Sequence, residues 1–154
     1  MKKTFLLLLL SIVIFSCTSK TQNTLDDIAD NFSFNRTKSN STEIIIKLYG
    51  TKETAKKTSD IESFTPRKVF KVINKKQLES FDNIFTNAEK TGYCCCPTAL
   101  YSIQFMNKKE QLDLFYVDTI ESKNKVRIYE GSFQYSYIIE KKKWNNFLDE
   151  LETK

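Results

Sequence analysis

The stretch YSIQFMNKKEQLDLFYV, residues 101–117, decides the fold. Tyr101, Ile103 and Phe105 alternate with Ser102 and Gln104, the period-two pattern of a half-buried strand. Asn107-Lys108-Lys109-Glu110 is polar and turn-like, and Leu112 to Val117 is again rich in strand formers. The segment therefore predicts an antiparallel hairpin. Downstream, Val126 to Tyr129 and Phe133 to Ile139 predict two further strands, with Gly131 as a bend or bulge between them. In the last of these, Phe133, Tyr135, Tyr137 and Ile139 share one face, opposite Gln134, Ser136 and Ile138.

Upstream of the hairpin, TEIIIKLY (Thr42–Tyr49) is a β-branched strand closed by Gly50, and Val69 to Ile73 is a second. The polar, Lys/Thr-rich stretch from Thr51 to Ser63 reads as a long loop. Asn74 can cap a following helix, in which Leu78, Phe81, Ile84, Phe85 and Ala88 fall on one face, ending near Gly92. Trp144, Phe147, Leu148 and Leu151 are spaced 0, 3, 4 and 7, an amphipathic C-terminal helix. The order β-β-α-β-β-β-β-α predicts an α+β domain: an antiparallel sheet carrying two helices on one face.

Composition limits the chemistry. The 154 residues suit one domain, and the chain contains no His, 3 Gly and 2 Pro. Without His, the commonest general base and the usual zinc ligand are missing, as is every Ser-His or Cys-His nucleophile pair. The formal net charge is +5, but 3 Arg stand beside 21 Lys. Arg reads bases and clamps phosphate with two donors at once, so this alphabet argues against a nucleic-acid partner.

The N-terminus carries an address. Lys2 and Lys3 precede a run, Phe5 to Phe15, that is apolar apart from Ser11. Such a run is too short for a bilayer core of about 30 Å and suits a signal peptide. It ends in Ile14-Phe15-Ser16-Cys17, followed by Thr18-Ser19-Lys20-Thr21-Gln22-Asn23. This resembles the lipobox of bacterial lipoproteins, in the Ser-before-Cys form that looks like those of the Bacteroidota. The resemblance implies removal of residues 1–16 and acylation of Cys17, which becomes the first residue. It further implies a membrane anchor without a transmembrane helix, since two or more acyl chains hold durably. Thr18 stands where the resemblance to enteric lipoproteins would place an Asp for inner-membrane retention, and no acidic run resembling the surface-export tag of some Bacteroidota follows Cys17. The resemblance therefore implies the periplasmic face of the outer membrane. Residues 17–41 then read as the lipidated Cys and a flexible polar linker, within which Thr24 to Asp30 could form one capped helical turn. Residues 42–154 form the α+β domain.

Candidate chemistry centres on Tyr93-Cys94-Cys95-Cys96-Pro97. With Cys17 acylated, three thiols remain, an odd number that cannot all pair within the chain. A disulfide between neighbours closes a tiny loop and stabilises little. Buried reduced cysteines, a redox-active or intermolecular thiol, and a Cu(I) site built on the thiolates of Cys94, Cys95 and Cys96 are the other outcomes. Lys141, Lys142 and Lys143 open the last helix, where cations oppose the macrodipole; they are either a solvated face or an anion patch. Tyr129, Tyr135 and Tyr137 are either sheet packing or a stacking platform. The carboxylates Asp113, Asp118, Glu121 and Glu130 are scattered, and their spacing singles out no glycosidase-like pair. Asp118-Thr119-Ile120 resembles the short O-glycosylation motif of Bacteroidota.

Together these features point to a lipid-anchored envelope protein with a small non-catalytic domain that binds an envelope protein or glycan and needs no cofactor. The alternative is a thiol-redox or Cu(I)-handling lipoprotein using Cys94 to Cys96.

Overall fold

A computed structural model of the chain describes residues 19–50, 56–57, 61–92, 98–132 and 135–153. Two units are distinguished, 1–36 and 37–154. The first described element is α1, Ser19–Asn40, whose last turn belongs to the second unit. The second unit continues with β1 (Glu43–Leu48), β2 (Lys56–Lys57), β3 (Lys68–Val72), α2 (Lys75–Ile84), β4 (Glu89–Thr91) and β5 (Thr98–Ala99). Then come β6 (Tyr101–Asn107), β7 (Glu110–Asp118), β8 (Lys125–Glu130), β9 (Ser136–Glu140) and α3 (Lys141–Glu152).

Seven strands pair in the order β3-β1-β6-β7-β8-β9-β4, every neighbour antiparallel, while β2 and β5 form a separate two-stranded ribbon. The fold is α+β, as the sequence predicts. Register fixes two faces. Ile46 stands opposite both Phe70 and Ile103, and Ile103 opposite Phe115. Val117 pairs with Ile128, which pairs with Tyr137. This inner face is almost closed to solvent, with Ile46, Ile103, Phe115, Val117 and Ile128 each 0% exposed. Both α2 and α3 cover it: Phe81 of α2 packs edge-on against Phe105 at 5.9 Å and Phe147 of α3 at 5.7 Å. Trp144 meets Tyr101 at 5.4 Å.

Six rings close a circuit on this face. Phe81 touches Phe85, Phe85 touches Tyr137, Tyr137 touches Tyr135, Tyr135 touches Phe115, Phe115 touches Phe105, and Phe105 returns to Phe81. All six pairs are T-shaped, with centroids 5.3–6.0 Å apart. That geometry places the positive edge of one ring over the negative face of the next and adds about 0.5–1.5 kcal/mol per pair beyond area burial.

Local signals set the helix ends. The Asn74 side chain accepts from Gln77 N at 3.0 Å, and the Gln77 side chain accepts from Asn74 N at 3.3 Å, a complete capping box. The helix stops at Ile84 rather than near Gly92. Asn87 takes a left-handed φ of 63°, which no helix accommodates, and the chain turns into β4 to pair with β9. Residues 18–41, read as a flexible linker with one helical turn, are instead helical over Ser19–Asn40. That segment contains no Gly or Pro, and Leu25, Ile28, Ala29 and Phe32 are spaced 0, 3, 4 and 7. Within the second unit, Ser41 Oγ donates to Thr37 O at 2.7 Å, and Lys38 Nζ sits 2.7 Å from Asp82 Oδ1. Gly131 lies where β8 ends: a Cβ there would stand 3.0 Å from Leu114 O.

Phe81 is fully buried and joins α2, α3 and β6. Phe81→Ala should lower unfolding stability by about 3–5 kcal/mol in urea denaturation. A loss below about 1 kcal/mol would show that the circuit does not hold the helices.

Candidate functional site

Cys17 and Cys94 to Cys96 lie outside the described residues, as does Phe133. The residues that bracket the cysteine segment are informative. Thr91, the last of β4, shares a 2.6 Å hydrogen bond with Ser136 and accepts one from Arg127 Nη1 at 3.1 Å. On the far side, Thr98 donates to Asp118 Oδ2 at 3.0 Å, and its carbonyl accepts from Tyr129 OH at 2.8 Å. Asp118 and Arg127 are cross-strand partners. Both flanks of the segment are thus tied to one residue pair on the outer sheet face.

The carboxylates Asp118, Glu121 and Glu130 hold structure. Asp118 Oδ1 accepts from Ile120 N at 2.6 Å and Glu121 N at 3.1 Å, closing the turn after β7. Glu121 receives Arg127 Nε at 2.9 Å and Nη2 at 3.4 Å, a two-point contact that fixes the guanidinium. Glu130 accepts from Ser132 Oγ. Thr119, of the glycosylation-like triplet, is buried. Asp113 is different. It sits half-buried on the inner face, accepting from Leu114 N at 2.8 Å and Thr37 Oγ1 at 3.4 Å. Burial pushes its carboxyl above the ordinary range; the Leu114 N–H offsets part of this, and the Glu130 charge adds to it. On the outer face, burial and the neighbouring Glu62 raise the Tyr116 phenol to about 12.

The three lysines diverge in use. Lys141 Nζ donates to Thr119 O, and Lys143 Nζ donates to Thr86 O, each at 2.6 Å. Lys143 therefore places a cation near the C-terminal end of α2, where it complements the macrodipole it opposes in α3. Lys142 is exposed. The tyrosines are divided between faces: Tyr129 is buried outside, beside Tyr116, Ala99 and Ile61, whereas Tyr135 and Tyr137 belong to the inner circuit. They pack the sheet and form no common platform.

A groove of about 270 Å³ opens between α2 and α3. Its rim carries Asn83, Asn146, Lys143 and Glu150, and its floor is Ile84 and Phe147. Asn146 also lines a broader cleft of about 590 Å³ shared with Lys141, Lys142, Asn145 and Asn124. Amides offer both donor and acceptor, and here an ammonium and a carboxylate stand beside them over an apolar base. This suits a polar, uncharged or zwitterionic ligand with many hydroxyl or amide groups. Sequence reasoning missed the groove because its walls come from helices about sixty residues apart; the polar faces of two amphipathic helices were its only trace. Among the described residues, no three Cys, Asp or Glu side chains are grouped to hold a metal ion. No described helix is long and apolar enough to cross a membrane.

No protein-family model matches the chain, and neither a curated protein nor a solved structure matches it.

The raised Asp113 pKa has a defined consequence for stability. The folded state holds this proton more tightly than the unfolded chain. Stability therefore rises as pH falls through the folded pKa, and the gain is complete below the ordinary carboxylate value. Asp113→Asn should raise the melting temperature at pH 7 and leave it nearly unchanged at pH 3. An equal shift at both pH values would rule out the buried charge as the cause.

Proposed function

We propose that the chain is a lipid-anchored protein of the bacterial cell envelope whose α+β domain binds an envelope glycan or protein without catalysis. The anchor is Cys17, and the periplasmic face of the outer membrane is its location. Supporting the anchor is the sequence itself: the Lys2/Lys3 start, the short apolar run, and Ser16-Cys17 before a polar stretch. The observation that carries the binding reading is the groove between α2 and α3, lined by Asn83 and Asn146 together with Lys143 and Glu150. A sugar presents hydroxyl groups that both donate and accept, which amides match in either sense. Asp118, Glu121 and Arg127 are committed to turns and to one another, so their polar capacity goes into holding the sheet.

The second reading, Cu(I) or thiol chemistry at Cys94, Cys95 and Cys96, has one supporting observation. The described residues on either side of it, Thr91 and Thr98, hydrogen-bond to the cross-strand partners Arg127 and Asp118.

One experiment separates the two. Purified protein is tested for retention on peptidoglycan sacculi and on immobilised lipopolysaccharide. The Asn83→Ala/Asn146→Ala variant should bind at least about tenfold more weakly, since two lost hydrogen bonds of about 1 kcal/mol each suffice. The Cys94→Ser/Cys95→Ser/Cys96→Ser variant should bind like the parent. The reverse pattern would transfer the function to the thiols.

A further inference from the structure

Among the described residues, the large apolar side chains that stand exposed are Phe64 at 47%, Val69 at 47% and Ile73 at 62%. All three fall within ten residues of chain, around the edge strand β3. From Phe64 to Lys76 the sequence carries Arg67, Lys68, Lys71, Lys75 and Lys76 and no acidic residue. Exposed grease and positive charge therefore coincide at one sheet edge.

Register turns this into a pattern. Val69 and Lys71 lie on the outer face of β3, with Arg67 and Ile73 in phase on either side. Their partners on β1 are Lys47 opposite Val69 and Ile45 opposite Lys71. Apolar and cationic side chains thus alternate both along and across the two strands. Two acids border this face: Glu43, 2.9 Å from Lys71, and Glu62, which accepts from Gln104 of β6, the partner of Ile45, at 3.3 Å. Lys68 pairs with Glu152 and Lys75 with Glu79 at 3.9 Å, on other sides of the element. Such exposed pairs hold little energy and exchange readily for other anions.

We infer that the outer face of β3 and β1 is a second membrane contact, which seats the domain on an anionic lipid bilayer. The bilayer interface offers negative headgroups and apolar chains within a few ångströms of each other, as the alternation of Arg67, Val69, Lys71 and Ile73 requires. A purely polar anionic polymer would satisfy the cations and leave Val69 and Ile73 in water. The inference rests on the proposal that the chain is held at a bilayer. A tethered domain needs only weak contacts to dock, because the anchor raises its local concentration at the surface.

The test is hydrogen exchange on the full chain, mixed with vesicles of phosphatidylglycerol and phosphatidylcholine (3:7) or of phosphatidylcholine alone. Exchange in residues 67–73 should slow several-fold on the anionic vesicles relative to the neutral ones, and this slowing should fade with added salt. Lys47→Gln/Arg67→Gln should remove the protection, each lost cation lowering the docked population about fivefold. Lys142→Gln, on α3, should not. Equal exchange on both vesicles, with the chain present in the vesicle fraction, would overturn the docking and leave the anchor standing. A chain missing from the anionic vesicle fraction would overturn docking too, while an acyl mass on Cys17 would still report the anchor separately. Protection that grows with protein concentration in the absence of vesicles would assign the face to a second copy of this chain.

Discussion

The closed circuit of Phe81, Phe85, Tyr137, Tyr135, Phe115 and Phe105 is the contact on which the arrangement of the second unit depends. Edge-on stacking is directional, so each ring restrains its neighbours in angle as well as distance. Through it α2 is keyed to β6 by one ring and to β9 by another, across the two strands between them. Phe147 and Trp144 extend the same packing to α3. With the helices fixed in this way, their solvent sides face each other across the Asn83/Asn146 groove. A ligand site on two separate helices keeps its geometry only if both are held on a rigid support.

The sheet consequently has two characters. Its inner face is dry and aromatic. Its outer face changes along the strand order. At the centre, Ile61 and Ala99 cover Tyr116 and Tyr129. Toward β9 and β4, the Arg127 side chain binds Glu121, Thr91 and Ser136, and a polar network takes the place of a core. Toward β3 and β1 the face is open, and there the apolar and cationic residues alternate. A sheet edge with exposed Val and Ile is an aggregation hazard unless charge or a partner manages it. Arg67, Lys68 and Lys71 supply the charge, and in the docking inferred above a bilayer is the partner.

Much of this was legible in the sequence, for physical reasons. The hairpin of β6 and β7 and the helix α3 are amphipathic, so burial and periodicity agree. The Asn74 cap was readable because its partner Gln77 is three residues away. What was missed depends on distant partners. Strand β4 is three residues long and exists through its pairing with Ser136, Tyr137 and Ile138. The apolar spacing of α2 runs on to Ala88, past the true helix end, whereas the left-handed Asn87 breaks the backbone. Composition hid α1: Ser, Thr and Asn suggested a linker, while the spacing of Leu25, Ile28, Ala29 and Phe32 was helical. Ile61 stands alone in a polar stretch and gave no pattern, yet it caps the outer cluster. Lys141 and Lys143 looked like a charge run, but their ammonium groups serve carbonyls of two different loops.

Docking of the β3 edge and access of the groove to envelope ligands both depend on attachment to a membrane, which makes the state of Cys17 decisive. Intact-mass measurement of the protein extracted from its native membranes tests it directly. The expected mass is that of a chain beginning at Cys17 with its acyl chains added. A mature chain beginning at any other residue, with no lipid attached, would contradict it.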